Sequence, residues 1–523
     1  MAVPISNYAV HLRPTDNVAV ARKPIPANTT FAFDGGSFTL PKGIGMGHKF
    51  ALVPIKEGDP IHKYGQVIGF AGRAVAPGEH VHVHNVTAGA FERDYAYASQ
   101  IPAPLPPPAE HRTFMGFDRG NGKAAHQRYG TRNYLAVIST VNCSASTSKY
   151  IADRIRALGI LKDYPNVDGV IAIVHRQGCG MQFGGPDHQQ LDRTLAGFAR
   201  HPNVAAYLLV GLGCEIVQAS HLIENEKLNL LQLDGKKGTP LALSIQECGG
   251  IGKTVEAGVK AVAEMLPKVN DVRRVQLSAK HLILGTNCGG SDGNSGVTAN
   301  PALGVASDMM VQQGGTSILG ETTEIYGAEH ILTRRAVSKE VGEKLVERIK
   351  WWEWYTATFG AQINNNPSPG NKEGGLTTIY EKSLGAIAKA GGTAMVDVYR
   401  YAEPVTAKGF VVMDTPGYDP VSATGQVAGG ANLVCFTTGR GSAYGCAPSP
   451  SIKLSTNTAL WRRQEDDIDV NCGEVVDGTA SVEAMGERVF ARMLAVASGE
   501  ATKSERHGYG QAEFVPWQLG AVM

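Results

Sequence analysis

The sequence predicts an α/β protein: a small all-β module at the amino end, followed by two parallel-sheet α/β domains. Three observations predict it. The first 98 or so residues hold only short β-branched or apolar runs between glycine and proline turns, with no sustained helical period. From about residue 112, apolar strand-like runs alternate with helical patterns. That alternation restarts near residue 276 and continues to the end.

In the first module the runs are Val18–Ala21, Phe50–Val53, Val67–Phe70 and Val81–His84. Residues 99–111 form a linker whose core, Ile101–Pro108, carries five prolines and should be stiff and extended, at about 3 Å per residue. In the middle domain (112–275), Tyr134–Val141 precedes a helix over 147–158 and Gly169–Val174 one over 188–199. Ala205–Val210 then precedes a helix over 216–228, and Leu241–Gln246 one over 253–266. In the last domain (276–523) the strands are His281–Leu284, Thr316–Leu319, Ala394–Val398, Phe410–Met413 and Leu433–Thr437. Continuous apolar runs fit strands buried on both faces. Ligands of such sheets bind beyond the carboxyl ends of the strands.

Composition narrows the function classes. The chain has 523 residues with 49 basic and 48 acidic side chains, a balance that argues against nucleic acid or an anionic membrane surface as partner. No apolar run approaches the roughly 18 residues of a membrane span, and Met1–Val10 lacks the pattern of an export signal, so a cytoplasmic enzyme is expected. In that compartment eight cysteines point to metal binding, catalysis or burial rather than disulfides. Cys143, Cys179, Cys214 and Cys288 each follow an apolar strand-like run.

The loop Asn287–Gly293 offers a sulfur, a carboxylate and glycines that admit a ligand to the backbone. Cys288 and Asp292 therefore read as mixed metal ligands or as parts of a glycine-rich turn with a buried thiol. Glu321 and Glu324 follow a strand and read as ligands, a base or helix-start carboxylates. Gly47-His48-Lys49 pairs a turn histidine, a candidate acid or base, with a lysine able to hold a carboxylate. His80, His82 and His84 fall on one face of a strand, where two or three can share a metal or simply face solvent. Asn365–Lys372 is a rigid proline loop whose Ser368, Asn371 and Lys372 suit a polyol or a carboxylate, and Arg440 in its glycine loop can hold a carboxylate or phosphate through paired hydrogen bonds. No nucleotide-binding or serine-hydrolase motif occurs in the required setting.

These segments, with Asp16–Ala19, Tyr64-Gly65, Gly130–Asn133, Gly178-Cys179, Gly211–Glu215, Cys288–Asp292, Asn366–Lys372 and Thr438–Gly441, resemble the altronate/galactarate dehydratase family over essentially the whole chain. The resemblance implies a β-clip (SAF-type) first domain, a middle domain that helps dimerisation, and a Rossmann-like last domain with a metal site. It also implies iron-dependent loss of water from a sugar acid, giving a 2-keto-3-deoxy acid. Glu79–Asn85 leans toward the altronate branch over the galactarate branch. On this reading Fe(2+) lies near Cys288 and Asp292 with Glu321 or Glu324. Lys49, Lys372 and Arg440 hold the carboxylate, Asn371 and Ser368 the hydroxyls, and His48 and Lys372 serve catalysis. The alternative cofactor is an iron–sulfur cluster on Cys143, Cys179, Cys214 and Cys288. The alternative functions are a sulfo-lyase acting on a sulfonated hydroxy acid and a non-catalytic sugar-acid sensor.

Overall fold

A computed structural model describes residues 2–89, 93–120, 128–228 and 242–523. It is an α/β structure with a strand-rich amino end, as the sequence predicts. The first module is built on a four-stranded antiparallel sheet in the order Ala9–Val10, Val18–Ala21, Lys49–Ala51, His80–Val81. Its core stacks Phe31 on Phe50, with centroids 5.6 Å apart. The run expected to continue as strand through His84 instead turns after Val81. The Asn85 side chain folds back, accepting from His82 N (2.9 Å) and donating to His80 O (3.0 Å).

The proline segment is extended but not free. Gln312 Nε2 donates to Pro106 O and Gln313 Nε2 to Glu110 O, each at 3.0 Å, which lays it along the last domain. The middle domain is a four-stranded parallel sheet ordered Gly169–Ile173, Tyr134–Ser139, Val204–Gly211, Ala242–Ser244. Helices Asn142–Leu158 and Ile251–Asn270 cover one face through Ile151, Ile155, Val262 and Leu266. Helix Pro186–Ala199 covers the other and continues into the last domain. A Cβ on Gly197 would sit 2.4 Å from Ala428 O, so only glycine permits this contact with helix Asp419–Ala428.

The last domain is a seven-stranded, all-parallel sheet ordered Met395–Tyr399, Gly409–Met413, Thr316–Leu319, Ile283–Cys288, Leu433–Thr438, Ser451–Ser455, Val470–Asn471. The chain enters at the centre, builds one half, then returns to build the other. The order therefore reverses between Ile283–Cys288 and Leu433–Thr438, and a crevice opens at their carboxyl ends. Two features escaped the sequence reading. An antiparallel trio, Thr113–Asp118 with Tyr129–Gly130 and Val275–Ser278, ties the ends of the middle domain together. Strand Ser451–Ser455 is fully buried although Lys453 interrupts it, because Lys453 Nζ donates to Tyr444 O (2.9 Å) and Ser504 Oγ (2.5 Å). Among the described residues no helix is long and apolar enough to cross a membrane.

The first module docks on the last domain through a shared apolar core, Val18, Ile61 and Ile68 with Leu319, Leu332 and Leu384, and through a buried carboxylate between two ammonium groups. Glu381 meets Lys49 Nζ and Lys63 Nζ, each at 2.9 Å, with all three side chains at most 1% exposed. Lys49 also donates to Gly375 O (2.6 Å) and Lys63 to Gly293 O (3.3 Å). Burial opposes the charge on Glu381, but the two lysines overcome it and hold the carboxyl far below its ordinary range.

Candidate functional site

The crevice is floored by the loop that follows Cys288. Cys288 ends its strand and is buried, its Sγ 2.8 Å from Ser291 Oγ, and burial pushes its thiol pKa up. Beyond it Gly289 and Gly290 leave the floor bare. A Cβ at Gly289 would lie 2.2 Å from Asp419 Oδ2, and one at Gly290 3.4 Å from Arg440 Cβ. The loop is pinned by Asp292, which accepts from Asn294 N (3.1 Å), Ser295 Oγ (3.1 Å), Thr456 Oγ1 (2.9 Å) and Asn457 Nδ2 (3.3 Å). These bonds offset the burial that raises its pKa.

One wall of the crevice is a set of paired charges. Glu321 takes a left-handed backbone conformation (φ 64°) that costs a residue with a side chain of order 1–3 kcal/mol, and its carboxylate is held on every side. It accepts from Lys389 Nζ (2.6 Å), Cys288 N (3.1 Å) and Asn287 Nδ2 (3.2 Å). Glu324 pairs with Lys382 Nζ (2.7 Å) and accepts from Asn366 Nδ2 (3.0 Å), while its second oxygen is buried without a partner among the described residues. Lys382 Nζ also donates to Asn366 Oδ1 (2.6 Å). Asp419, at the start of its helix, is only partly buried and has no lysine in salt-bridge contact among the described residues. Burial and the negative charge of Glu324 push its pKa up to about 6. It is thus a carboxylate able to take up and release a proton near neutrality.

The opposite wall comes from the first module. His48, His80 and His82 offer one ring nitrogen each, all within 4.8 Å of one another. His48 Nδ1 lies 3.0 Å from His80 Nε2, and His48 Nε2 donates to Glu373 O at 3.1 Å. That carbonyl fixes the tautomer and leaves Nδ1 as a lone pair facing the other two rings. His82 Nδ1 is buried with no partner among the described residues. Burial, reinforced by the neighbouring cationic and imidazole groups, lowers His80 to about 3 and His82 to about 4, and burial lowers His48 as well. The three imidazoles converge as a group that could hold a divalent transition metal once His80 moves its Nε2 proton to its other nitrogen. Glu373, whose carbonyl holds His48, also carries the carboxylate that Arg440 Nη2 meets at 3.2 Å, so the histidines and Arg440 share one end of the crevice.

The structure distributes the sequence-predicted residues as follows. Cys288, Asp292, Glu321 and Glu324 lie along one edge of the sheet, but no three of them bring donor atoms within 4.8 Å. Each is engaged by its own partners instead. Lys49 is consumed by Glu381 at the domain junction. Ser368 and Asn371 form a capping box on the one-turn helix Pro369–Glu373, and Asn371 Nδ2 donates to Ser291 O (2.8 Å), fixing the proline loop to the glycine loop. Lys372 is half-buried on that helix with no ion pair among the described residues, and Arg440 is 46% exposed at the crevice mouth. Cys143, Cys179 and Cys214 are exposed on the middle domain, apart from buried Cys288. Asp419, Lys382 and Lys389 were missed. Asp419 opens an ordinary Asp-Pro helix start, and both lysines sit in helical segments where lysine is unremarkable.

Comparison with known proteins is consistent along the chain. Residues 7–89 match the altronate/galactarate dehydratase SAF domain, and 116–270 the D-galactarate dehydratase/altronate hydrolase second domain. Residues 279–522 match the D-galactarate/altronate dehydratase C-terminal domain. The chain is 35% identical over 503 residues to altronate dehydratase of Bacillus subtilis, covering 96% of this chain and 97% of that protein. It is 34% identical over 504 residues to altronate dehydratase of Escherichia coli, covering 96% and 97%. It is 36% identical over 498 residues to galactarate dehydratase (L-threo-forming) of Escherichia coli, covering 94% and 93%.

Proposed function

The chain belongs to the D-galactarate/altronate dehydratase family and is a hydro-lyase, and from that premise we propose that its substrate is altronate, converted to a 2-keto-3-deoxy acid. The observation that carries altronate over galactarate is the distribution of charge along the crevice. Arg440 and Lys372 give one end its cations. Further along the crevice Lys382 and Lys389 are neutralised by Glu324 and Glu321. An aldarate would set its second carboxylate against those acids, whereas an aldonate sets a hydroxymethyl there, beside the amide of Asn366.

In this reading Arg440 and Lys372 hold the substrate carboxylate over Gly289 and Gly290. Asp419 takes the proton from C2, the C2–H electron pair forms the C2–C3 double bond, and the C3 hydroxyl leaves as water after gaining a proton. The enol then becomes the ketone, with one solvent proton added at C3. The conjugate base beside a carboxylate is poor in stability without help. His48, His80 and His82 would hold a divalent metal, Fe(2+) in our proposal, which supplies Lewis acidity to spread that charge. What supports this placement is the tautomer set by Glu373 O and the orphaned Nδ1 of His82. We extend the reading to a homodimer, supported by Trp354 and Phe359, which are 61% and 67% exposed.

The test is kcat/KM on altronate and galactarate in anaerobic buffer with ferrous iron. A preference for altronate of about tenfold or more is expected. Equal or better use of galactarate overturns the substrate assignment, and ligand binding without keto-acid release favours a sensor.

A further inference from the structure

Three cysteines outside the crevice follow neighbouring strand ends of the middle domain. Cys143, Cys179 and Cys214 are free and exposed, and each is carried by the loop leaving the carboxyl end of one of three adjacent strands. Hydrogen bonds lock the three loops to one another. Asn142 N donates to Gln177 O (2.9 Å), while Ile216 N and Val217 N donate to Gly178 O (3.0 and 3.1 Å). The Glu215 carboxylate accepts from Thr140 Oγ1 (2.8 Å), Leu212 N (3.2 Å) and Gly213 N (2.6 Å). Gly178, with φ +100°, lies so close to the first loop that a Cβ would meet Thr140 O at 2.3 Å. Cys179 is therefore held between the loops that carry Cys143 and Cys214.

Two of the three cysteines also have backbone or amide N–H groups beside them. Cys143 is the second residue of the 17-residue helix Asn142–Leu158, whose amino end has no side-chain cap and no acidic residue in its first turn. The amide of Gln246 donates to Cys214 Sγ at 3.5 Å. Cysteines that serve packing are buried here, as Cys288, Cys435, Cys446 and Cys472 are. Three exposed thiols on three mutually fixed loops serve no packing purpose.

Spacing separates the possible occupants. A single tetrahedral ion with metal–sulfur bonds near 2.3 Å draws its thiolates to roughly 3.8 Å of one another. These three sulfurs do not form a set within 4.8 Å. A cluster with bridging sulfides is wider and takes thiolates set further apart. We propose that Cys143, Cys179 and Cys214 bind a [4Fe–4S] cluster, leaving its fourth iron without a protein thiolate and open to an oxygen ligand such as a hydroxy-carboxylate. The cluster binds preformed, and each thiol gives its proton to solvent as its sulfur ligates iron. The proposal concerns a different domain from the histidine site and does not depend on the dehydratase reading.

The test uses full-length protein reconstituted under argon with ferric iron, sulfide and dithiothreitol, then desalted. Acid-labile sulfide, iron and the visible charge-transfer absorption are measured, with near-ultraviolet circular dichroism as the check on folding. About four sulfides per chain are expected in the parent protein and in C288S and H82A. C143S, C179S and C214S should each lose most of the sulfide and the absorption while keeping the dichroism. Absence of labile sulfide from the parent protein overturns the proposal, as does sulfide undiminished in the triple serine variant. Iron bound by these cysteines without sulfide overturns it as well.

Discussion

Replacing Glu381 by glutamine should loosen the junction between the first module and the last domain, whose shared apolar core keeps the two docked. The carboxylate sits 2.9 Å from both Lys49 and Lys63, and neither lysine is more than 1% exposed, so the variant leaves two ammonium groups facing each other in a dry junction. Breaking a buried pair by removing one partner costs about 3–5 kcal/mol. Lys49 keeps Gly375 O at 2.6 Å and Lys63 keeps Gly293 O at 3.3 Å, which favours the lower end, about 3 kcal/mol. At about 1.4 kcal/mol per factor of ten, amide exchange by opening of the junction should accelerate by roughly a hundredfold. Exchange mass spectrometry reads this in strands Lys49–Ala51 and Gln66–Ala71, with Tyr134–Ser139 of the middle sheet as the control expected to stay unchanged. The double variant K49M/E381Q removes one orphaned charge and should recover part of the loss. Because the folded-state pKa of Glu381 is depressed, its contribution is fully present above the unfolded value of 4.5 and is lost only as pH falls through the lower folded value. The parent junction should therefore stay closed at pH 5. Unchanged exchange in E381Q, or equal acceleration in all three domains, would refute the reasoning.

Other outcomes follow from the same geometry. D419N should lower kcat by about 10²–10⁴-fold with little change in KM. In the parent enzyme kcat/KM should rise with pH through about 6 and then level, because the base acts as the carboxylate, and that limb should vanish in the variant. A retained limb removes Asp419 from the proton transfer. H82A should weaken ferrous-ion binding, followed by calorimetry under argon, by about tenfold or more, whereas H84A should not, since His84 lies outside the converging set. Equal effects of the two would break the histidine assignment. R440K should raise KM for altronate about tenfold while changing kcat less, because an ammonium cannot replace the paired guanidinium contacts. An unaltered KM places the substrate carboxylate elsewhere.

The alternation of strands and helices was legible because both sheets are parallel and covered on both faces, so their strands are continuous apolar runs. Thr316–Leu319 has the same bounds in sequence and structure. Ser451–Ser455 was not legible, because a lysine inside a central strand reads as a loop until Tyr444 O and Ser504 Oγ are there to receive it. The site was legible where it rests on local backbone chemistry. Glycines beside Cys288 mark a strand-end loop over which a ligand can approach. It was not legible where partners come from afar. Asp292 becomes a staple only through Thr456 and Asn457, 164 and 165 positions away, and His48 finds His80 across 32. Nor does sequence tell a lysine on a helix face from Lys389, whose ammonium is buried against Glu321.

The central claim is that this crevice removes the C2 proton and the C3 hydroxyl of altronate. It is tested most directly by brief turnover in D₂O with ferrous iron, followed by NMR and mass analysis of the product. The account predicts a 2-keto-3-deoxy acid carrying one deuteron, at C3, and a rate reduced by about 10²-fold or more in D419N. A product with no deuterium at C3, or the parent rate in D419N, would contradict it.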